Sequence, residues 1–486
     1  SIKNFEIMLN FAINKWPKHK IVIKKHPDTI NSNKKGCIDN YLNNKKIIII
    51  REKGQINDLI KLSSAVCVVT SQVGFESLIY GKEVHVFGMP FYSGLGLTHD
   101  HNDFSCKKNN NKVTLEQLVF GSLIKYQKYL DPRNNSICEI EKVIEYIAQK
   151  RRLSNLIPQF CHALDLTPWK ARQVNRFVLE VSRDKASFWK KFNNNMKNIM
   201  VWGKSQKSDK FKSEVAEFIS IEDGFIRSVG LGGDLYSPLS LLFDKKGIHY
   251  DGSKVSDLED LLQNYKVNNS EKIRARKLIN LLIKLKISKY NLRLNKEINL
   301  PKNIINKQII AVLGQVETDN SIIYGVPKNT IPKTNFALVE KVRNDHPDAY
   351  IIYKPHPDIE SGLRAKGNKE SYIYKNADLI AKKTSLEDIF NKVDRVAVFT
   401  SLAGFEALIR GISVTTYGLP FYAGWGLTED KLDNHIWTKR RTRKLTIDEL
   451  TFITLVKYPF YASVKFNCLT EVENIIDEIV SSNKKK

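Results

Sequence analysis

The chain has 486 residues, which at about 150 residues per domain predicts about three domains, and its 42% hydrophobic and 27% charged residues are ordinary for a globular protein. The 77 lysines and arginines outnumber the 52 aspartates and glutamates, and the net charge of +25 would attract nucleic acid, anionic lipid headgroups or an acidic or nucleotide substrate, although the local basic runs could equally be solvated surface and a tail. No apolar run approaches the about 18–20 residues that a membrane-spanning transporter needs, and no nucleic-acid-binding motif accompanies the basic residues.

The chain opens on short predicted strands with a helix between them. The strands are apolar runs of the length that buried parallel strands have, at 21–23, 65–69 and 84–87. After Thr70 and Ser71, the residues Phe75, Leu78 and Ile79 recur at helical spacing, so we expect them to share the buried face of a helix. Strand, loop, helix and strand in this order predict a doubly wound α/β domain, whose ligands bind at the carboxyl ends of its strands.

This first segment is repeated later in the chain. Residues 70–100 and 400–430 are identical at 18 of 31 positions, and His-Pro-Asp at 26–28 returns at 356–358 with the same offset of 330. This period is too long for a solenoid and indicates two large modules in tandem, the first copy and the second copy. Because only 25 residues precede the motif in the first copy, we expect the first module to be incomplete at its N-terminus in this chain.

A different α/β segment precedes the second copy. Its predicted strands are the apolar runs 199–202 and 218–221, and the residues from Ala275 to Leu282 have the pattern of an amphipathic helix. The strands predicted for the second copy follow at 309–313, 350–353, 396–399 and 413–417. The order of elements predicts two facing α/β domains with a cleft between them.

His356 follows the strand 350–353 directly, and Pro357 fixes the loop behind it. An imidazole at this end of the sheet can donate a hydrogen bond to a phosphate or a base. A lone His-Pro pair is a weak signal, since His346 also precedes a proline, but His346 lies before the strand and we interpret it as part of a turn. The duplicate at His26 favours His356, with Pro357, as part of a nucleotide site.

The helix after strand 396–399 is predicted to begin at Thr400 and Ser401. Their hydroxyl groups and the free amides of the helix start suit a phosphate, although plain N-capping would use the same residues. Gly404, in the first turn, would let a ligand approach closely. Glu406 could accept hydrogen bonds from ribose hydroxyl groups, or it could be a solvated helix glutamate.

Two acidic clusters follow strands and face the predicted cleft. Glu222 and Asp223 come after strand 218–221, with Arg227 close in sequence, and adjacent carboxylates can supply a nucleophile or a base. An acidic turn with a salt bridge would also explain them. Glu317 belongs to a second cluster at 315–319, after strand 309–313, and has the same two interpretations.

The combined motifs are similar to those of one known family. They are Glu-Asp-Gly-Phe-Ile-Arg-Ser-Val-Gly-Leu-Gly at 222–232, Gln-Val-Glu at 315–317, Lys-Pro-His-Pro-Asp at 354–358, Thr-Ser-Leu-Ala-Gly-Phe-Glu-Ala-Leu at 400–408 and Tyr-Gly-Leu-Pro-Phe-Tyr-Ala-Gly-Trp-Gly-Leu-Thr at 417–428. Together they resemble the KpsC/LipA family of capsule polysaccharide proteins, and the resemblance covers essentially the whole chain.

The resemblance implies an α/β fold of tandem GT-B-like modules, each built of Rossmann-like doubly wound domains. On this basis we divide the chain into four segments: 1–150, the nucleotide-binding half of a truncated first glycosyltransferase module; 151–196, a helical linker; 197–300, the acceptor-side α/β domain of the second module; and 301–486, its CMP-binding Rossmann-like domain.

The resemblance also implies an activity and a location. Members of the family transfer β-linked Kdo (3-deoxy-manno-octulosonic acid) from CMP-Kdo, with retention of configuration, to a Kdo-containing phospholipid of the phosphatidylglycerol type, which builds the linker of the capsule. They work at the cytoplasmic face of the inner membrane, beside the capsule export machinery. The six dispersed cysteines, which form no Cys-x-x-Cys pair, fit a reducing compartment and argue against a zinc ribbon.

Catalytic roles are implied for the acidic clusters. We expect Asp223 to act as the nucleophile, Glu222 or Glu317 to handle the proton, and Arg227 to orient the carboxylate of Kdo. For the nucleotide, we expect His356, Ser401 and Glu406 to hold the phosphate and ribose of CMP, so that neither a metal nor a cofactor is required.

The first copy departs from the family pattern. It contains nothing like Glu-Asp-Gly-Phe or Gln-Val-Glu, and Leu95 stands where the second copy has Trp425. We therefore expect the first module to be inactive in this chain. Two alternatives for the whole protein stay open: a sugar-nucleotide epimerase of the GT-B type, and a non-catalytic partner in capsule export or assembly.

Overall fold

The protein was examined as a computed structural model, which describes residues 2–25, 45–50, 56–102, 112–164, 166–182, 197–204, 215, 217–230, 235–291, 297–301, 304, 306–328, 330–432 and 435–484. The predicted first-copy motif at 26–28 lies outside these residues. The chain forms two compact units: the first unit spans Ser1–Tyr129 and Ile137–Ile140, and the second unit spans Leu130–Ser136 and Glu141–Lys486.

The first unit holds the first copy. Its elements in chain order are α1 (Ile2–Lys15), β1 (Ile21–Lys24), β2 (Ile47–Ile50), α2 (Ile56–Leu62), β3 (Ala65–Val68), α3 (Val73–Ile79), β4 (Glu83–Val86), β5 (His99–Asp100), α4 (Leu115–Val119) and a π-helical segment (Phe120–Tyr126). The strands form two separate parallel sheets, β1–β2 and β3–β4–β5. Two-residue strands, β6 (Tyr129–Leu130) and β7 (Ile137–Cys138), follow at the boundary of the units.

The second unit begins with a six-stranded sheet, here named the mixed sheet. Its first elements are α5 (Ile140–Leu156), β8 (His162–Leu164), α6 (Pro168–Val178), β9 (Asn198–Trp202), β10 (Glu217–Asp223), β11 (Ser240–Asp244), α7 (Asp257–Asn264) and α8 (Asn269–Lys284). Strands β8, β9 and β10 are parallel, and β11 pairs with β10 in the antiparallel direction. Apolar residues of α5 and α6, such as Leu153 and Phe177, bury one face of this sheet.

The second sheet of this unit has six strands and is named the parallel sheet. Its elements are β12 (Ile309–Leu313), α9 (Asn320–Gly325), α10 (Asn335–Asp345), β13 (Tyr350–Lys354), α11 (Pro357–Glu360), a 3₁₀ helix (Glu370–Lys375), β14 (Leu379–Ile380), α12 (Leu386–Phe390), β15 (Arg395–Val398), α13 (Leu402–Leu408), β16 (Ser413–Thr416) and β17 (Glu429–Asp430). The strand order is β14-β13-β12-β15-β16-β17, all parallel. This is the order of a doubly wound dinucleotide-binding sheet, in which the strand order reverses between β12 and β15.

Both faces of the parallel sheet are covered, which explains why its strands are uninterrupted apolar runs. In β12, Ile310 and Val312 pack in one cluster with Leu338 of α10, whereas Ala311 and Leu313 pack in another cluster with α8. The strong apolar signal of 309–313 in the sequence is therefore that of a central strand.

The chain finally returns to the mixed sheet. The last elements are a 3₁₀ helix (Thr438–Arg440), α14 (Ile447–Phe452), a π-helical segment (Ile453–Lys457), β18 (Phe460–Ala462), β19 (Leu469–Thr470) and α15 (Val472–Lys484). Strand β18 pairs with β11, and β19 pairs with β18. Before β18, the side chains of Arg440 and Arg441 donate to Glu259 of α7, at 2.7 Å and 2.9 Å. These ion pairs attach the segment around Arg440 to α7.

Two expectations from the sequence are corrected. The segment 151–196 is not only a helical linker, because β8 within it pairs with β9 as the edge strand of the mixed sheet. The helix face predicted for Phe75, Leu78 and Ile79 is only partly buried, since Ile79 is 49% exposed. Among the described residues, no helix combines the length and apolarity needed to cross a membrane.

Candidate active site

A cleft of about 1030 Å³ lies between the mixed sheet and the parallel sheet of the second unit. It opens at the carboxyl ends of β10, β12, β13 and β15, where ligands of doubly wound sheets bind. Seven of the residues predicted from sequence line it: Glu222, Asp223, His356, Pro357, Thr400, Ser401 and Glu406. Arg227, Glu317 and Gly404 are not among its lining residues.

The point where the strand order reverses is bridged by one side chain. Gln315 follows β12, and its Oε1 accepts a hydrogen bond from the backbone amide of Thr400, after β15, at 2.9 Å. Its Nε2 donates to Thr400 Oγ1 at 3.2 Å. This amide pairing fixes Thr400 at the mouth of the crevice, so the Gln-Val-Glu motif acts at the parallel sheet through Gln315.

His356 is held in one orientation by its own loop. Its Nδ1 accepts a hydrogen bond from the backbone amide of Asp358 at 3.1 Å, and the ring caps the short helix α11, in which Pro357 is the first residue. Burial lowers the pKa of His356, which favours the neutral ring. With Nδ1 accepting, Nε2 carries the proton and can donate to a ligand.

Ser401 has the capping role that was the alternative to phosphate binding. Its Oγ accepts a hydrogen bond from the backbone amide of Ala403 at 3.3 Å, at the start of α13. Ser401 also lines the cleft, and the cap uses its oxygen as an acceptor and leaves the hydroxyl proton free to donate, so capping and ligand contact are compatible.

Asp223 is the last residue of β10, and only one of its two carboxylate oxygens has a hydrogen-bond partner. Its Oδ2 accepts a hydrogen bond from Arg227 Nε at 2.7 Å, whereas Oδ1 is buried and has no hydrogen-bond partner. Arg227 is 2% exposed and also donates to Ser228 Oγ and to the carbonyl of Tyr236. Because protein groups engage the guanidinium of Arg227, this residue positions Asp223 rather than facing the cleft.

Glu222 has the environment of a group that exchanges protons near neutrality. Burial, and after it the charge of Asp223, raises the pKa of Glu222 to about 7. Its Oε1 accepts a hydrogen bond from the backbone amide of Asp223 at 3.0 Å, which fixes the orientation of the Glu222 side chain. A carboxyl group with this pKa is half ionised at physiological pH, as a general acid or base requires.

Glu317, the other expected proton handler, has a structural role. Its Oε1 accepts the backbone amide of Asn335 and its Oε2 accepts that of Asn368, each at 2.8 Å. The two oxygens therefore hold the start of α10 and the segment before the 3₁₀ helix Glu370–Lys375.

Lys289 is the principal residue of the site that the sequence did not indicate. It lines the cleft, its backbone amide donates to Glu406 Oε1 at 2.8 Å, and its carbonyl accepts the amide of Arg227 at 3.0 Å. Burial acts to lower the pKa of Lys289, but nearby acidic groups, Asp223 and Glu222 among them, outweigh it and raise the pKa above its ordinary value. Lys289 is thus a fixed cation beside the two carboxylates.

Glu406 and Gly404 differ from their expected roles. Glu406 is 7% exposed, and its Oε1 holds the backbone of Lys289 in place rather than being solvated. Burial raises the pKa of Glu406 to about 7. A Cβ at Gly404 would lie 2.2 Å from the hydroxyl group of Tyr422, so the glycine is required by packing inside the domain, not by a ligand.

Further polar atoms in the cleft lack partners. The buried atoms Asp358 Oδ1 and His249 Nδ1 have no hydrogen bond, and both residues line the cleft. Burial lowers the pKa of His249 to about 3, so this ring is neutral. Because buried polar groups are normally paired, these atoms indicate a cleft built for a polar ligand.

The chain matches one protein family. The family model described as "Capsule polysaccharide biosynthesis protein" matches residues 1–129 and 197–461. The chain is also 34% identical over 475 residues to the capsule polysaccharide modification protein LipA of Neisseria meningitidis serogroup A. This match covers 95% of the chain but 66% of that relative, so the chain spans slightly less than two thirds of its length.

Two solved structures from Thermosulfurimonas dismutans are similar to the chain. One is the KpsC β-Kdo 2,7 transferase, with 35% identity and a TM-score of 0.54, covering 67% of this chain and 99% of that chain. The other is the KpsC β-Kdo 2,4 transferase, with 26% identity and a TM-score of 0.56, covering 65% of this chain and 97% of that chain.

Proposed function

The chain belongs to the capsule polysaccharide biosynthesis protein family, and from that premise we propose that its second unit is a retaining β-Kdo transferase with a GT-B-like architecture. The donor is CMP-Kdo and the acceptor is a Kdo-containing phospholipid of the phosphatidylglycerol type. The likeness to the two KpsC transferases supports the transfer of Kdo.

One observation carries the proposal. Asp223, whose Oδ1 has no hydrogen-bond partner, lines a polar cleft together with the cation Lys289 and a carboxyl group of raised pKa, Glu222. One side of the cleft thus offers a nucleophile, a proton carrier and a cation, and the other side is the point where the strand order of a doubly wound sheet reverses. This arrangement suits the transfer of an acidic sugar from a nucleotide.

The donor binds with its nucleotide at the parallel sheet. His356 donates through Nε2 to the phosphate of CMP, and the hydroxyl groups of Thr400 and Ser401 complete the phosphate contacts. Lys289 receives the carboxylate of Kdo, the role first expected of Arg227, because the guanidinium of Arg227 is already bonded to Asp223.

The transfer proceeds by two displacements, which together retain configuration. The carboxylate of Asp223 attacks the anomeric carbon, and the bond between that carbon and the phosphate oxygen breaks with its electron pair leaving on CMP. A hydroxyl group of the acceptor then attacks the same carbon, Glu222 takes its proton, and the ester bond to Asp223 breaks.

The linkage and the location are further parts of the proposal. The higher identity to the 2,7 transferase than to the 2,4 transferase favours the 7-hydroxyl group of Kdo as the acceptor position. The protein acts as a peripheral protein at the inner face of the inner membrane, beside the export machinery, with the net charge of +25 drawing it to anionic lipids. The first copy is inactive in this chain.

The test is an assay of the purified chain with CMP-Kdo and a synthetic lipid-linked Kdo acceptor. We expect release of CMP and a product heavier by one Kdo residue, whose anomeric configuration and linkage are read by NMR. Binding of UDP but not CMP would favour a sugar-nucleotide epimerase instead. Neither CMP binding nor hydrolysis of CMP-Kdo would favour a non-catalytic assembly partner.

A further inference from the structure

Three side chains with metal-binding atoms converge at one edge of the first unit. Glu83 and His85 lie two residues apart on β4 and so share one face of the strand, and His99 on β5 is the register partner of His85. The ligand atoms of all three lie within 4.8 Å of one another. Their convergence is set by the backbone of two paired strands rather than by flexible loops.

The individual distances suit one ion. Glu83 Oε1 lies 2.8 Å from His85 Nε2 and 3.6 Å from His99 Nε2. Zinc bonds of about 2.0–2.1 Å in tetrahedral geometry place neighbouring ligand atoms about 3.3 Å apart. The two distances from Glu83 Oε1 lie close to this value, and the two histidine nitrogens lie within 4.8 Å of each other, a separation that the exposed side chains of Glu83 and His99 can adjust to.

The central ligand is already oriented. The side chain of His85 is 2% exposed, and its Nδ1 lies 2.9 Å from Nε2 of His101 on the same sheet edge. A hydrogen bond at one ring nitrogen is how proteins direct the other nitrogen of a histidine toward a metal. Phe87 stacks on His101, with the ring planes 2° apart, so the supporting ring is fixed too.

A cation already occupies the point that these atoms face. Lys15 Nζ, at the end of α1, lies 3.1 Å from Glu83 Oε1 and 3.1 Å from His85 Nε2. Its side chain is 37% exposed, so it can swing into solvent when a stronger cation binds.

The matched positions of the second copy show that this histidine set is particular to the first copy. With the offset of 330, His85 corresponds to Thr415, His99 to Glu429 and His101 to Lys431. There Arg395 donates a hydrogen bond to Thr415 at 2.7 Å, and Glu429 forms ion pairs with Arg395 and with Lys431, the latter at 2.7 Å. One copy carries a salt-bridge network where the other carries nitrogen ligands.

We propose that Glu83, His85 and His99 bind a divalent transition-metal ion of the zinc class, with Lys15 displaced and a solvent molecule in the remaining position. Imidazole nitrogens with one carboxylate are a ligand set that zinc prefers over calcium or magnesium. The ion holds β5 on β4 and so fastens the sheet edge of the first unit.

The test is calorimetric titration of the full chain with zinc chloride. We expect one equivalent to bind, with affinity reduced at least tenfold in Glu83→Gln and in His99→Ala and unchanged in His19→Ala, an exposed histidine of the same unit outside the cluster. Lys15→Met should tighten binding, because it removes the competing ammonium group. Magnesium should not bind.

The substituted side chains of Glu83 and His99 are exposed, so circular dichroism should show an unchanged fold in these variants. Cobalt bound in place of zinc should give the visible absorption of a tetrahedral nitrogen and oxygen site, which disappears in His99→Ala. Absence of a stoichiometric zinc site, or zinc affinity that is equal in the wild type and in both ligand variants, overturns the proposal.

Discussion

In both copies of the repeat, a glycine in the first turn of a helix lies against the hydroxyl group of a buried tyrosine. A Cβ at Gly404 would lie 2.2 Å from that of Tyr422, and a Cβ at Gly74 would lie 2.2 Å from that of Tyr92. The loop that follows is also the same in both copies. The backbone amide of Gly424 donates to Asp430 at 2.8 Å, and that of Gly94 donates to Asp100 at 2.9 Å. The repeated motif thus builds the same skeleton twice.

The two copies differ in how their described strands are joined. In the second copy, β12 joins β13 to β15 at the centre of the parallel sheet. In the first copy, β1 and β3 stand at the positions of β13 and β15, and no described strand joins them. The strands of the first copy accordingly form two separate sheets.

The surroundings of the repeated helix differ in the same way. Ile409 is 6% exposed and packs with residues of α8, whereas its counterpart Ile79 is 49% exposed. Trp425 is fully buried in that cluster and donates to the carbonyl of Phe421, whereas Leu95 at the matched position is only partly buried. The comparison shows that the repeat builds the same local architecture in both copies, while the acidic pair Glu222 and Asp223 and the cation Lys289 come from a segment that is not repeated.

The largest expected effect is at Asp223, which has no counterpart in the first copy. Asp223→Asn should lower the rate of Kdo transfer by about a thousandfold or more, because the amide cannot form the sugar ester, and should leave CMP binding unchanged. Transfer is measured by product formation and CMP binding by calorimetry. Asp348→Asn, an exposed aspartate outside the cleft, is the matched control. Near-wild-type turnover of Asp223→Asn would reject the nucleophile.

The next effect is at Lys289, which also lies outside the repeat. Lys289→Met should reduce kcat/KM for CMP-Kdo by about a hundredfold, since the sugar carboxylate would face an uncompensated acidic cluster. Affinity for CMP alone, which lacks the carboxylate, should change much less. Lys284→Met, the exposed lysine that ends α8, should behave as wild type. An equal loss of CMP and CMP-Kdo affinity would place Lys289 on the nucleotide instead.

The pH dependence should follow Glu222, for which the repeat again has no equivalent. Burial, and after it the charge of Asp223, raises its pKa to about 7 while Lys289 and Lys170 act to lower it, so the base form is lost as the pH falls through 7. Steady-state rates should fall about tenfold between pH 8 and pH 6. Glu222→Gln should be slow with a flat profile, and an unchanged slope in this variant would contradict the assignment.

The smallest expected effect comes from the same substitution made at matched positions of the two copies. Thr400→Val should weaken CMP binding about five- to tenfold, because it removes a hydroxyl group that Gln315 holds at the cleft. Thr70→Val, the same change at the exposed position of the first copy, should have no effect. Calorimetry with CMP measures both, and equal losses would show that the first copy also contributes to nucleotide binding.

The sequence by itself determined the strands, the repeat and the edge of the sheet at which ligands bind. Those features are local, because a buried parallel strand is a continuous apolar run and its carboxyl end is marked by the polar residues that follow. The runs at 309–313 and 350–353 and the positions of His356 and Thr400 were predicted in this way and line up as expected.

Only the tertiary structure decided how the candidate site is assembled. Arg227 and Glu317 were expected to face the cleft but are engaged by protein groups, and Lys289 was not indicated by any pattern. Lys289 is placed by hydrogen bonds to Arg227 and Glu406, the latter 117 residues away in the chain. Such a contact cannot be predicted from local sequence propensity, because Lys289 and Glu406 meet only when the mixed sheet and the parallel sheet have packed together.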